Sequence, residues 1–213
     1  MHDTTLLQPT YHNVTISGLP GCGSTTLLSL LKEALHEQEW IGFSGGEFMR
    51  AYAIEKGLYN PAKSAHHSAT VYDDDFDRQV DYGMREKVQT QRKWIIESWL
   101  SGFMAQQVEG TLKVLLICSD DAVRIDRIIN RDNIDVAEAK QSIQDRYQSN
   151  LAKWQRMYAK EWQEWVVTAG TLDAAAAIDF WRPELYDLVI DTFSHNKEAT
   201  LNLVLDKLGL PTA

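Results

Sequence analysis

Asn13-Val14-Thr15-Ile16-Ser17 runs directly into Gly18-Leu19-Pro20-Gly21-Cys22-Gly23-Ser24-Thr25-Thr26, and Leu27, Leu28, Leu30, Leu31 and Leu35 follow. The first five residues read as a buried strand. The leucines recur at helical spacing. The glycine-rich turn therefore joins a strand to a helix, and this unit decides the reading of the chain. The turn follows the phosphate-loop pattern G-x-x-x-x-G-K-[ST] at every position but one. Gly18 and Gly23 hold the glycine positions, Thr25 holds the hydroxyl position, and Ser24 stands in place of lysine. Such a loop turns backbone amides inward around phosphate oxygens, where a Cβ would intrude. The helix adds its positive end. Gly18, Gly21, Cys22, Gly23, Ser24, Thr25 and Thr26 are thus the expected phosphate-binding set, with the Thr25 hydroxyl on Mg2+. A glycine-rich turn without a ligand is the plainer alternative, and the missing lysine is the main objection to phosphate binding. That lysine ordinarily bridges the terminal phosphates as a point charge.

Outward from this unit, strands alternate with helices. Trp40 to Ser44, Trp94 to Glu97, Lys113 to Cys118 and Leu188 to Ile190 read as further strands. Helices are expected over Glu47 to Lys56, Phe76 to Arg92, Gly102 to Val108 and Glu198 to Leu208. A long, charged helical segment is expected from Asp121 to Trp165, with Asp135 placed to cap a helix start. Asn60 to Asp75 reads as a loop, and the residues through His12 as a tail. The alternation predicts an α/β fold with a parallel sheet covered on both faces.

The chain has 213 residues, which suits one domain, since single domains commonly run to about 250 residues. Its formal net charge of -9 argues against a broad nucleic-acid footprint, which needs a basic face. No apolar run approaches the ~20 residues of a membrane span. The N-terminus lacks a basic stretch followed by an apolar core, so no secretory signal is read there. The 2 cysteines, Cys22 and Cys118, cannot by themselves build a disulfide framework or a tetrahedral zinc site. A cytoplasmic protein with reduced thiols is the expectation. Most of the 7 tryptophans read as core or hinge packing.

Arg127 and Arg131 lie one helical turn apart, and Arg146 follows on the next long helix. On a mobile flap these arginines would close over a transferring phosphate and supply the charge that Ser24 does not. Pairing with nearby aspartates on a solvated face is the alternative. Glu97 ends a strand close in topology to the phosphate loop, where a carboxylate can hold Mg2+ through water. Arg50 and Arg78 are candidate clamps for an acceptor phosphate, with surface ion pairing as the alternative. His66-His67 reads as a solvated loop rather than a metal site. Cys22 reads as a small loop residue, although it lies near a helix N-terminus, which can lower a thiol pKa.

The chain resembles the archaeal-type cytidylate kinase family. The resemblance rests on Ser17 to Thr26, Ser44-Gly45-Gly46-Glu47-Phe48-Met49-Arg50, Asp75-Phe76-Asp77-Arg78-Gln79-Val80-Asp81, Ile96 to Phe103, Val123 to Ile128 with Arg131-Asp132, and Tyr186 to Thr192. These segments stand in family order over residues 13 to 208. In that family the lysine position often carries threonine. The resemblance implies a P-loop NTPase three-layer fold with a five-stranded parallel sheet. It also implies an acceptor-binding insert at about 45–92 and a helical lid at about 120–165. It implies phosphoryl transfer from ATP, with Mg2+, to CMP or dCMP. Arg50, Arg78, Asp81 and Trp99 are then the expected substrate-binding residues, Arg127, Arg131 and Arg146 the catalytic ones, and Thr25 and Glu97 the metal-binding pair. The chain departs from the family at Ser98-Trp99, where Gly-Arg is expected. Trp99 either stacks on a base or plugs the core. A non-catalytic nucleotide-binding relative and a kinase for another small acceptor are the alternative functions.

Overall fold

The computed structural model describes residues 11–58 and 72–211. Most of the expected tail and the His66-His67 pair lie outside the described residues. Five strands form one parallel sheet: β1 (Asn13–Gly18), β2 (Ile41–Ser44), β3 (Trp94–Glu97), β4 (Thr111–Ile117) and β5 (Leu188–Asp191). Their order is β2-β3-β1-β4-β5. The first strand is therefore central, and the chain crosses over it between β3 and β4.

All six residues of β1 are buried. Its apolar face, Val14 and Ile16, packs on Leu27, Leu28 and Leu31 of α1 (Ser24–Ala34). Helix α8 (Lys197–Lys207) closes the same face with Leu201, Val204 and Leu205. The opposite face of β1 carries the polar residues Asn13, Thr15 and Ser17; Asn13 and Ser17 are hydrogen-bonded, as burial favours, while the buried Thr15 Oγ1 has no partner among the described residues. The Asn13 amide donates to the carbonyls of Val88 and Gln91 at 3.0 and 2.9 Å. Ser17 Oγ accepts from the Gly102 amide at 2.9 Å. These bonds seat α3 (Asp74–Thr90) and the short α4 (Ser101–Met104) on that face.

The remaining helices are α2 (Gly45–Glu55), α5 (Asp121–Asp132), α6 (Val136–Met157) and α7 (Ala159–Trp162), which runs into a π-helical turn over Gln163–Val167. Four tryptophans, Trp154, Trp162, Trp165 and Trp181, are buried in an aromatic layer with Phe103, Tyr158 and Phe180. The expectation of tryptophan as packing holds for these four. Phe180 brings the Thr171–Phe180 stretch into this layer, its ring 4.7 Å from that of Phe103.

Several boundaries shift for a local reason. The acidic run Asp73-Asp74-Asp75 was expected in a loop. Instead Asp73 caps α3, its carboxylate accepting from the Phe76 amide at 2.7 Å. Carboxylates gather there because free amide protons and the helix dipole favour them. Ser44 caps α2 in the same way and starts it two residues earlier than expected. Asp135 caps α6 as expected, accepting from the Glu138 amide at 2.8 Å. The expected Gly102 to Val108 helix shrinks to α4, and β4 begins at Thr111 because its ladder with β1 extends to Asn13.

Candidate active site

The loop between β1 and α1 has the geometry its glycines predict. Gly21 and Gly23 sit at φ +84° and +90°, a region that side chains disfavour. A Cβ on Gly21 would lie 2.6 Å from Arg124, so the loop is pressed against α5. A Cβ on Gly23 would meet nothing within 4 Å and would enter the open space above the helix end. Helix α1 has no side-chain cap. Its first turn presents amides and the exposed Thr25 and Thr26 to that space. These features fit a phosphate group.

Ser24 is occupied rather than vacant. Its hydroxyl donates to Glu97 Oε1 at 2.7 Å, and the Ser44 hydroxyl donates to Glu97 Oε2 at 2.8 Å. Glu97 is thus a bridge at the carboxyl end of β3, between the phosphate loop and the start of α2. Burial pushes its carboxyl above the usual range. The two serine hydroxyls and Arg131 act against that shift, and Glu47 adds to it. Each carboxylate oxygen retains a second lone pair. Glu97 and the Thr25 hydroxyl are hard oxygen donors of the kind Mg2+ takes beside nucleotide phosphates.

One residue beyond Glu97 a cavity of about 120 Å³ opens between α2, α3 and α6. Gly45, Gly46 and Met49 line one side, Asp77 and Asp81 another, and Arg146, Asn150 and Trp154 a third, with Ser98 and Trp99 at the strand end. Three buried polar atoms on its lining, Asp77 Oδ1, Ser98 Oγ and Asn150 Oδ1, have no hydrogen-bond partner among the described residues. Buried orphans of this kind are costly unless a ligand or water meets them. Lys153 pairs with Asp77 at 2.8 Å, and both side chains are buried.

The expected site residues divide accordingly. Asp81, Trp99 and Arg146 come together on the cavity, while Arg50 lies exposed on α2. Arg78 is directed elsewhere. It donates to the Met157 carbonyl at 2.8 Å and pairs with Glu161, so it ties α3 to the α6–α7 junction. Arg85 likewise bonds the carbonyls of Met104 and Gln106 and stacks on Trp165. Arg127 donates to Gly21 O at 3.2 Å and to Thr192 Oγ1 and O at 2.8 Å each, tethering the phosphate loop to the end of β5. Arg131 forms a fork with Asp132 and keeps half of its side chain exposed. Cys22 is buried in the loop, and burial pushes its thiol up to about 11, so its position near a helix N-terminus does not activate it.

Sequence reasoning missed Ser44, Asp77, Ser98, Asn150 and Lys153. Part of the signal was present. Arg146, Asn150, Lys153 and Trp154 recur at i, i+4, i+7 and i+8, which is one helix face.

Asp81 carries a pH dependence. The Tyr158 hydroxyl donates to its Oδ2 at 2.6 Å. Burial pushes its carboxyl up to about 7, and the Asp77 charge adds to this, against Tyr158, Lys153 and Arg78. Between the ordinary carboxylate value of ~4 and about 7, the folded protein holds a proton that the unfolded chain releases. This contribution to stability is complete at low pH and is lost as pH rises through that window. Urea midpoints of the natural protein should therefore fall relative to those of Asp81→Asn between about pH 5 and about pH 7. Parallel midpoints for the two proteins would remove Asp81 as the titrating group.

Comparison with known proteins agrees with this geometry. Residues 14–150 match a family model described as an AAA domain. A cytidylate kinase from Methanosarcina barkeri is 30% identical over 90% of this chain and 93% of its own length. One from Haloarcula marismortui is 29% identical over 90% of this chain and 86% of its own. Among solved structures, an uncharacterized protein from Eubacterium ventriosum superposes with a TM-score of 0.63 at 11% identity, covering 93% of this chain and 98% of its own. A gluconokinase from Sinorhizobium meliloti gives 0.53 at 11%, covering 94% and 93%. At these identities the structural likeness concerns the fold.

Proposed function

The chain belongs to the cytidylate kinase family, and on that premise we propose that it transfers the γ-phosphoryl group of ATP to CMP or dCMP. The observation that carries this reading is the position of Glu97. It is bonded on one side to the phosphate loop through Ser24 and on the other to the start of α2 through Ser44, and the cavity opens at the next residue. A donor phosphate over the α1 end and an acceptor in the cavity would meet there, beyond the carboxyl ends of the strands.

Phosphoryl transfer needs alignment and charge neutralisation more than covalent help. The uncapped end of α1 supplies amides for the donor phosphates. Arg131 and Arg146 supply half-exposed and half-buried positive charge. The orphaned groups of Asp77, Ser98 and Asn150 supply fixed partners for the acceptor. Mg2+, when bound with ATP, neutralises phosphate charge, and Thr25 and Glu97 are the residues that would hold it. In this reading residues 45–92 form the acceptor-binding part and residues 120–165 the lid of a single kinase domain working in the cytoplasm. Among the described residues no helix is long and apolar enough to cross a membrane.

A coupled assay of ADP release tests the reading across CMP, dCMP, UMP, AMP and non-nucleotide alcohols. CMP and dCMP should be the best acceptors. Turnover of AMP or a sugar acid with none of CMP or dCMP would reject the acceptor. ATP binding without turnover of any acceptor would favour the non-catalytic alternative.

A further inference from the structure

We propose that Asp77 and Asn150 are specificity-determining residues. Their Oδ1 atoms receive the exocyclic amino group of the nucleotide's base, so the cavity takes an aminopyrimidine nucleotide and rejects its keto counterpart. The inference rests on the kinase reading above and deepens it.

Asp77 and Asn150 both line the cavity, and neither Oδ1 has a hydrogen-bond partner among the described residues. The two residues are 5% and 4% exposed, so bulk water reaches neither oxygen. A buried acceptor left in this way is costly, and a ligand that brings a donor relieves the cost. The other Asp77 oxygen, Oδ2, is held by Lys153 at 2.8 Å. Burial raises the Asp77 carboxyl, and the hydrogen bond and charge of Lys153 act against that shift. A carboxylate paired with an ammonium is acceptor-only. Asn150 lies one helical turn before Lys153 on the same face of α6, which brings its amide to the side of the Asp77–Lys153 pair.

This side of the cavity is remote from the strand ends. Ser98, at the exit of β3, lies beside Gly45 and Met84: a Cβ on Gly45 would come 2.9 Å from Ser98 Cβ and 3.5 Å from Met84 Sδ. Asp77 precedes Met84 by two turns of α3, about 10 Å of helix rise. A nucleotide whose phosphate lies at the strand ends, where transfer occurs, therefore meets Asp77 with the far edge of its base rather than with its ribose. Met49, Val80 and Met84 give the intervening space an apolar lining that suits the faces of a planar ring. Cytosine carries at position 4 an amino group, a two-proton donor that a carboxylate accepts, whereas uracil carries a carbonyl oxygen there. Two buried acceptor oxygens match the first base and repel the second.

Calorimetry without ATP tests this with CMP, UMP, dCMP and the CMP analogue that lacks the 4-amino group. The natural protein should bind CMP about 10²-fold more tightly than UMP. It should bind the analogue about tenfold more weakly than CMP. Asp77→Asn keeps an oxygen for Lys153 and turns its amide nitrogen toward the base, a donor in place of an acceptor. This variant should lose about tenfold in CMP affinity and bind UMP more tightly than the natural protein does. Asn150→Leu should weaken CMP binding about tenfold yet leave the melting temperature unchanged or higher, because it removes a buried polar group without a partner. A purely structural role would lower the melting temperature and leave the CMP-to-UMP ratio alone. If Asp77→Asn gives no cooperative melt, Asn150→Leu and the analogue carry the test. Equal affinity of the natural protein for CMP and UMP, or for CMP and the analogue, would overturn the assignment. Equal losses of CMP and UMP in Asp77→Asn, or unchanged dCMP binding in that variant, would move these oxygens to the ribose and also overturn it. Full CMP affinity in Asn150→Leu would do the same. The kinase reading stands or falls separately, on turnover of CMP by the natural protein.

Discussion

Arg131→Ala is expected to lower kcat by about 10³-fold, the lower end of what an arginine facing a transferred phosphoryl group contributes. ATP affinity should change by less than about threefold, because the interaction forms only as charge develops in the transition state. The argument is positional. Arg131 lies at the end of α5 with half its side chain exposed, and its charge is felt by Glu97 at the junction of the two sites. Its fork rests on the neighbouring Asp132, an i to i+1 contact that closure of the proposed lid would exchange for phosphate. Arg127 differs, since its donors hold Gly21 and Thr192. Arg127→Ala should therefore weaken ATP binding as well as turnover. Arg131→Lys should restore little, because the planar fork is lost. Steady-state kinetics with separate ATP titration distinguishes the variants. Near-normal kcat in Arg131→Ala would take this residue out of the mechanism.

Gly23→Val is expected to reduce ATP affinity by more than about 10²-fold, combining left-handed backbone strain with obstruction of the phosphate cradle. The glycine sits at φ +90°, where a β-branched residue is strained, and its added Cβ would project into the open space over the α1 end. The fold should survive, because that Cβ meets no protein atom within 4 Å. Calorimetry with ATP, beside a thermal melt, reads the two effects separately. Undiminished ATP affinity in a folded variant would place the nucleotide elsewhere.

Ser24 shows why part of the site was illegible from sequence. Read along the chain it is a missing lysine. In the fold it donates to Glu97, 73 residues away, and Glu97 is also held by Ser44. Sheet register makes this meeting, since Glu97 pairs with Ile16 on one side and Ser44 on the other. The arginines divide for a similar reason. Helical period placed Arg78 near Asp81, but the α6–α7 junction decides that Arg78 faces Glu161 while Asp81 faces the cavity.

The sequence by itself determined the strand-loop-helix unit, the parallel layering, the helix caps at Asp135 and the family to which the chain belongs. Each of these rests on contacts within a few residues or on a periodic pattern, which local sequence encodes. The tertiary structure alone decided which buried polar atoms lack partners among the described residues, which arginines hold the frame, and that the Arg146 guanidinium lies over the Trp99 ring. Those outcomes depend on segments far apart in the chain packing onto the same strand ends. At Asp77 and Lys153, for example, burial removes water from both charges, and the packing of α3 against α6 brings them together at 2.8 Å.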